Sequence, residues 1–163
     1  MRITELAKTP GYIYGAGYCM GLFLYTHFRK KRFGVAATAL FMILAVLVIE
    51  GWMYLTRDIK TIYFMPCVCV TIFILLIFQY LICKGSLRET AYYMLMAFLI
   101  GEFGASLEWQ LYYFAVQNLG IRTNIGNSCI FLITVLFAVY VFFYLIEKHL
   151  AGKHVERNIR WRD

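Results

Sequence analysis

Glu50, Glu102 and Glu108 each stand inside a long apolar run of this 163-residue chain, and Gln110 lies two positions beyond the last of them. A carboxylate in lipid hydrocarbon is costly. It is protonated, paired, turned toward protein or water, or functional. Three kinds of chemistry suit such groups. They can hold helices together through hydrogen bonds, form a polar pocket that reads an external signal molecule, or pass a proton or cation across the membrane.

Other reactive residues give less. Cys19, Cys67, Cys69, Cys83 and Cys129 all fall within or at the ends of apolar runs, with no C-x-x-C pair, and read as buried free thiols acting as small apolar residues. His149 and His154 are five apart, not the three or four that would put two ligands on one helix face, and with His27 they read as interfacial residues. No phosphate-binding glycine loop and no G-x-S-x-G elbow occurs. The expectation is no catalytic residue, no metal, no cofactor, and no enzyme activity in this chain alone.

The carboxylates need elements to position them. Hydrophobic residues make up 62% of the chain and charged residues 15%, against about half and a quarter in a soluble domain. The apolar residues form five blocks, near 11–28, 34–55, 61–83, 90–114 and 128–146. A helix needs roughly 20 residues to cross a hydrocarbon core, whereas a transmembrane strand needs about ten and a two-residue alternation that these blocks lack. The fold class expected is therefore an all-α integral membrane protein, a bundle of about five transmembrane helices. It would occupy 1–147, with a basic tail over 148–163. The first block is the shortest and rich in glycine.

The net charge is +7, yet no nucleic-acid motif accompanies it and the basic residues lie between the apolar blocks. Arg29 to Arg32, Lys84, Arg88 and the tail fall on one side. Arg2, Lys8, Arg57, Lys60 and Arg122 fall on the other. The richer side belongs in the cytoplasm, which places the N-terminus outside and the C-terminus inside a cell inner membrane. "SLRE" at 86–89 fits a capping box that opens the fourth span. Pro66 near the start of the third span is tolerated there.

With that topology Glu50 and Glu108 lie at a similar depth in the outer half, and Glu102 lies roughly 9 Å deeper. On a helical wheel Glu108 shares a face, within about 60°, with Ala97, Gly101, Gly104 and Ala105. Such small residues admit a close helix neighbour, so Glu108 is expected to point into protein. Glu102 shares another face with Ser106, Trp109 and Tyr113, and Gln110 lies between the two. The intramembrane polar cluster is thus Glu50, Glu102, Glu108, Trp109 and Gln110. No acidic residue stands in the inner half of any span, which weakens a conduction path. A small transporter or channel remains the alternative reading.

The stretch "ETAYYMLMAFLIGEFGASLEWQLYYF" at 89–114 resembles the membrane input region of GHKL-type sensor histidine kinases from Firmicutes. The residues that carry the likeness are Ala97, Phe98, Glu102, Phe103, Ala105, Ser106, Leu107, Glu108, Trp109, Gln110 and Leu111. The tail "VERNIRWRD" is similar to the basic stretch after the fifth span of that family. The resemblance implies the sensory part of a two-component signal-transduction system, a homodimer in the lipid bilayer, with the ATP-dependent kinase domain missing. The chain is accordingly expected to be truncated after its tail.

Overall fold

The computed structural model describes residues 11–56, 63–120 and 125–160. Arg2, Lys8, Arg57, Lys60 and Arg122 lie outside these, as does the last part of the tail. Five helices run in order: α1 (Gly11–Phe28), α2 (Val35–Thr56), α3 (Phe64–Ile82), α4 (Leu87–Asn118) and α5 (Ile125–Arg160). The described residues form no strand, only an isolated antiparallel bridge between Lys31 and Cys83.

Four segments are long and apolar enough to cross a membrane: Val35–Thr56, Met65–Ile82, Leu87–Asn118 and Gly126–His149. Their outer faces display Leu40, Leu47, Phe73, Leu99, Ile133 and Phe137, all more than half exposed. An apolar surface of this extent would not remain dispersed in water, and hydrocarbon is its natural solvent. The protein therefore has the character of a multi-pass membrane protein. Cys69 and Cys129 sit on that outer surface, and only Cys83 of the five thiols is buried. This corrects the expectation that all five are buried. A thiol is apolar enough to face lipid, so an apolar run does not require it to be inside.

α1 is not one of those four segments; it carries four tyrosines and four glycines in 18 residues, and it occupies the centre. It packs against each of α2, α3, α4 and α5. A helix enclosed by protein does not need an apolar surface all round, because its neighbours meet its hydroxyls and glycines. The core forms two clusters around it. In one, Tyr18 and Leu22 pack with Ala45, Ile49, Leu75, Phe78 and Met94. In the other, Leu24 and Tyr25 pack with Ala97, Ile100, Val135 and Val139.

α1 and α4 run antiparallel in close backbone contact. Gly17 lies on the Gly101 carbonyl and Gly21 on the Ala97 carbonyl. The two small-xxx-small pairs, Gly17/Gly21 and Ala97/Gly101, thus face each other, which lets packing attraction act over the shortest helix separation. Gly104 meets Leu136 and Val139 of α5 as well as Met20 of α1, while Ala105 is fully buried.

The opposite end from Gly11 is tied by the loops after α1 and α3. Arg32 N–H donates to the Ile82 carbonyl at 2.8 Å, and Lys84 N–H to the Lys30 carbonyl at 2.8 Å. The Arg32 side chain donates to the Cys83 carbonyl at 2.9 Å and covers the Tyr80 ring. Ser86 and Glu89 form the capping box of α4. Arg29 completes this clasp: its side chain is 6% exposed and lies 3.6 Å from Glu89. It also donates to the Lys84 carbonyl at 3.0 Å and to Thr90 Oγ1 at 3.3 Å, over the Tyr93 ring. A side chain at Gly85 would collide with that guanidinium, and φ is +156° there, so glycine is required.

Arg29→Lys should lower stability by about 1–3 kcal/mol, although the charge is kept. An ammonium cannot reach the carbonyl, the hydroxyl and the ring together as the planar fork does. Thermal unfolding in detergent micelles measures the loss, and a shift no larger than that of Lys30→Ala would count against the clasp.

Candidate functional site

Two of the three intramembrane glutamates, Glu102 and Glu50, reach α1, and at different places. Glu102 accepts a hydrogen bond from the Tyr18 hydroxyl. The Tyr18 ring is buried and stacks on Phe98 at 5.3 Å and on Tyr14 at 6.3 Å. Tyr18 follows Gly17 in the glycine seam, so the close approach of the backbones is what brings its hydroxyl to α4.

Glu50 projects from α2 onto Gly15, where a Cβ would stand 2.6 Å from its Oε1. It also lies within electrostatic reach of the Cys19 thiol. Gly15 thus makes the space that this carboxylate occupies. With Gly17 against Gly101, Gly15 is level with Phe103, about five residues or ~7 Å from Glu108 along the helix. Glu50 and Glu108, expected at a similar depth, are not joined by a hydrogen bond. Depth counted from the ends of the apolar runs assumes that the runs end in one plane, whereas α4 continues to Asn118.

Glu108 is 0% exposed, and neither carboxylate oxygen finds a hydrogen-bond partner among the described residues. It lies on the buried face with Ala97, Gly101, Gly104 and Ala105. Tyr112, one turn on, feels both Glu108 and Tyr12 electrostatically. Tyr12 in turn shares a hydrogen bond of 3.1 Å with Ser128 of α5. Tyr112 also meets the Phe131 ring edge-on at 5.6 Å, and Trp109 packs against Tyr112 at 6.1 Å. This end therefore holds a buried carboxyl on α4 one turn from Tyr112, whose ring meets Trp109 and Phe131.

Gln110 is on the exposed surface and turns away from the three carboxylates. A second polar link crosses α2 and α3, where Trp52 Nε1 donates to Thr71 Oγ1 at 3.2 Å. Near the clasp the fully buried Tyr25 donates to Glu147 of α5 at 3.0 Å. Sequence reasoning passed over Tyr12, Tyr18, Tyr25, Ser128 and Glu147. The spacing of Tyr18 and Tyr25, seven residues apart, puts both on one helix face and was the available signal. His27 packs against Phe28 and Tyr144, and among the described residues no group of three or more His, Cys, Asp or Glu could hold a metal ion.

A carboxyl bonded to a tyrosine between antiparallel helices is a helix-joining device. A double-mutant cycle over Tyr18→Phe and Glu102→Gln should return a coupling of about 1 kcal/mol. Additive losses would show that the bond contributes nothing to stability.

Chemically, Tyr18–Glu102 and Trp52–Thr71 are satisfied pairs that favour structure. Glu108 differs, because an enclosed acid with no protein partner is free to accept a ligand's donor or a proton. No family model, no curated protein and no solved structure matches this chain.

Proposed function

We propose that the chain is the membrane-embedded input module of a two-component sensor histidine kinase. It would have five spans in a bacterial inner membrane, its N-terminus outside and its clasp and tail in the cytoplasm. The observation that carries the reading is the buried, unpartnered carboxyl of Glu108 at the Tyr12 end of a hub helix. That helix also touches every other helix. A donor or cation from an external signal molecule would satisfy Glu108, with Tyr12, Tyr112 and Trp109 enclosing it. Movement of α1 would then reach α5 through the Tyr25–Glu147 bond, near the start of the basic tail, which continues helical to Arg160. Such coupling requires that the hub and its neighbours have two packed arrangements. Dimerisation comes with the family resemblance, as does the kinase that would receive the signal. The distribution of basic residues supports the orientation.

The test fuses residues 1–163 to a histidine-kinase catalytic core and measures autophosphorylation in membranes. Glu108→Gln and Tyr25→Phe should each shift basal output several-fold, while the exposed-surface change Gln110→Ala should not. Unchanged output in both variants, together with acid-dependent ion flux in liposomes that Glu102→Gln abolishes, would replace the sensor with a transporter.

A further inference from the structure

A groove between α1 and α2, closed at one end by Tyr140 of α5, is not used by the site above. It consists of two adjoining clefts of about 340 and 400 Å³ that share Phe23, Met42 and Ile43. One end is apolar and lined by Cys19, Met20, Val46 and Tyr140. The other end is also largely apolar, with Val35 and Ala39, but adds Thr26, His27, Thr38 and one cation, Lys31. Its rim residues Phe23, Ile43 and Val46 are exposed on the apolar outer surface, so the groove opens sideways to the bilayer.

We propose that this groove binds one phospholipid with an anionic headgroup, its phosphate at Lys31 and His27 and an acyl chain along Phe23, Met42 and Ile43. Charge decides the occupant. Arg29 and Arg32 are committed to the clasp. The one ion pair among the described residues is Arg29–Glu89, so no acid neutralises Lys31 there. The backbone of Lys31 is held by its bridge to Cys83, and Lys31 lines the groove. Length agrees. From Val35 to Val46 along α2 is ~16 Å, close to one leaflet of a hydrocarbon core about 30 Å thick. An apolar channel one leaflet long with a cation at one end matches a lipid molecule and not a soluble phosphate. The inference needs only that the bundle sits in a bilayer. It stands whether or not the protein is a sensor.

Native mass spectrometry of the full chain, released from nanodiscs of mixed phosphatidylcholine and phosphatidylglycerol, tests it. The wild type should retain one phosphatidylglycerol in preference to phosphatidylcholine. Lys31→Gln should reduce that retention about fivefold, and Ile43→Trp, which fills the groove from an exposed position, should reduce it as far or further. Lys30→Gln removes the same charge from a residue outside the groove and should leave retention unchanged. Equal losses in Lys30→Gln and Lys31→Gln would overturn the proposal, since they mean diffuse attraction. So would equal retention of both lipids, or a chain dimer that Ile43→Trp dissociates. If circular dichroism shows Ile43→Trp unfolded, the comparison of the two lysine variants decides.

Discussion

Gly21→Val is expected to take the bundle apart, with a loss of about 3 kcal/mol or more. A Cβ at Gly21 overlaps the Ala97 carbonyl oxygen and lies 2.9 Å from the carbonyl carbon. At Gly17 it stands 2.5 Å from the Gly101 carbonyl oxygen. Overpacking against side chains costs roughly 1–3 kcal/mol because they can turn aside. A helix backbone cannot, so α1 must move away from α4 as a body. That movement would also break Tyr18–Glu102 and loosen both core clusters. Gly51 and Gly126 provide the contrast, because a Cβ there meets nothing within 4 Å. Gly51→Ala should be neutral or stabilising by up to about 1 kcal/mol from helix propensity. Unfolding in mixed micelles, followed by circular dichroism, measures both substitutions. If Gly21→Val and Gly51→Ala cost the same, the glycine seam does not hold the bundle.

Glu108→Met should make the protein more stable and silence it. The carboxyl is fully enclosed without a protein partner, and a buried polar group left unsatisfied costs about 1–3 kcal/mol. Methionine has a similar volume and no polar atom, so the substitution should return roughly that amount. The kinase-fusion output should meanwhile stop responding, as expected where a residue is kept for function at the expense of stability. Glu102→Met should behave in the opposite way, because it leaves the buried Tyr18 hydroxyl alone. If Glu108→Met destabilises as Glu102→Met does, Glu108 joins helices as well, and the pocket reading of this acid falls.

The part of the site that was legible in sequence follows from helical periodicity. Glu108, Gly101, Gly104 and Ala105 share a face on any ideal helix, and small residues on one side of an apolar helix mark where a neighbour comes close. Their burial needed no knowledge of the partner. Ser86 and Glu89 were legible for the same local reason, since a capping box is complete within four residues. Whether Glu50 and Glu108 bond to each other was not legible, because it depends on the offset between two helices and not on either one, and Glu108 has no hydrogen-bond partner among the described residues. Gln110 could not be placed from a wheel, since the sector between two faces is decided by how far the neighbouring helices extend around α4.

Arg29 shows the limit from the other side. In the sequence it is one of four basic residues after an apolar run, and headgroup contact explains such a run adequately. In the structure it is the buried centre of a clasp joining the α1–α2 and α3–α4 loops. Its partners are 55 to 61 residues away, so nothing local distinguishes it from Lys30.

By itself the sequence determined the helical class, the apolar blocks and the polar positions within them. Each of these depends on hydropathy and on a period of 3.6 residues. The tertiary structure decided which helix stands at the centre. α1, rich in glycine and tyrosine, took that place because its glycines let α4 approach and its tyrosines found carboxylates on α4 and α5. The tertiary structure also decided that Glu102 is satisfied and Glu108 is not. The two acids stand on one helix, six residues apart. What separates them is whether a hydroxyl from α1 reaches each one.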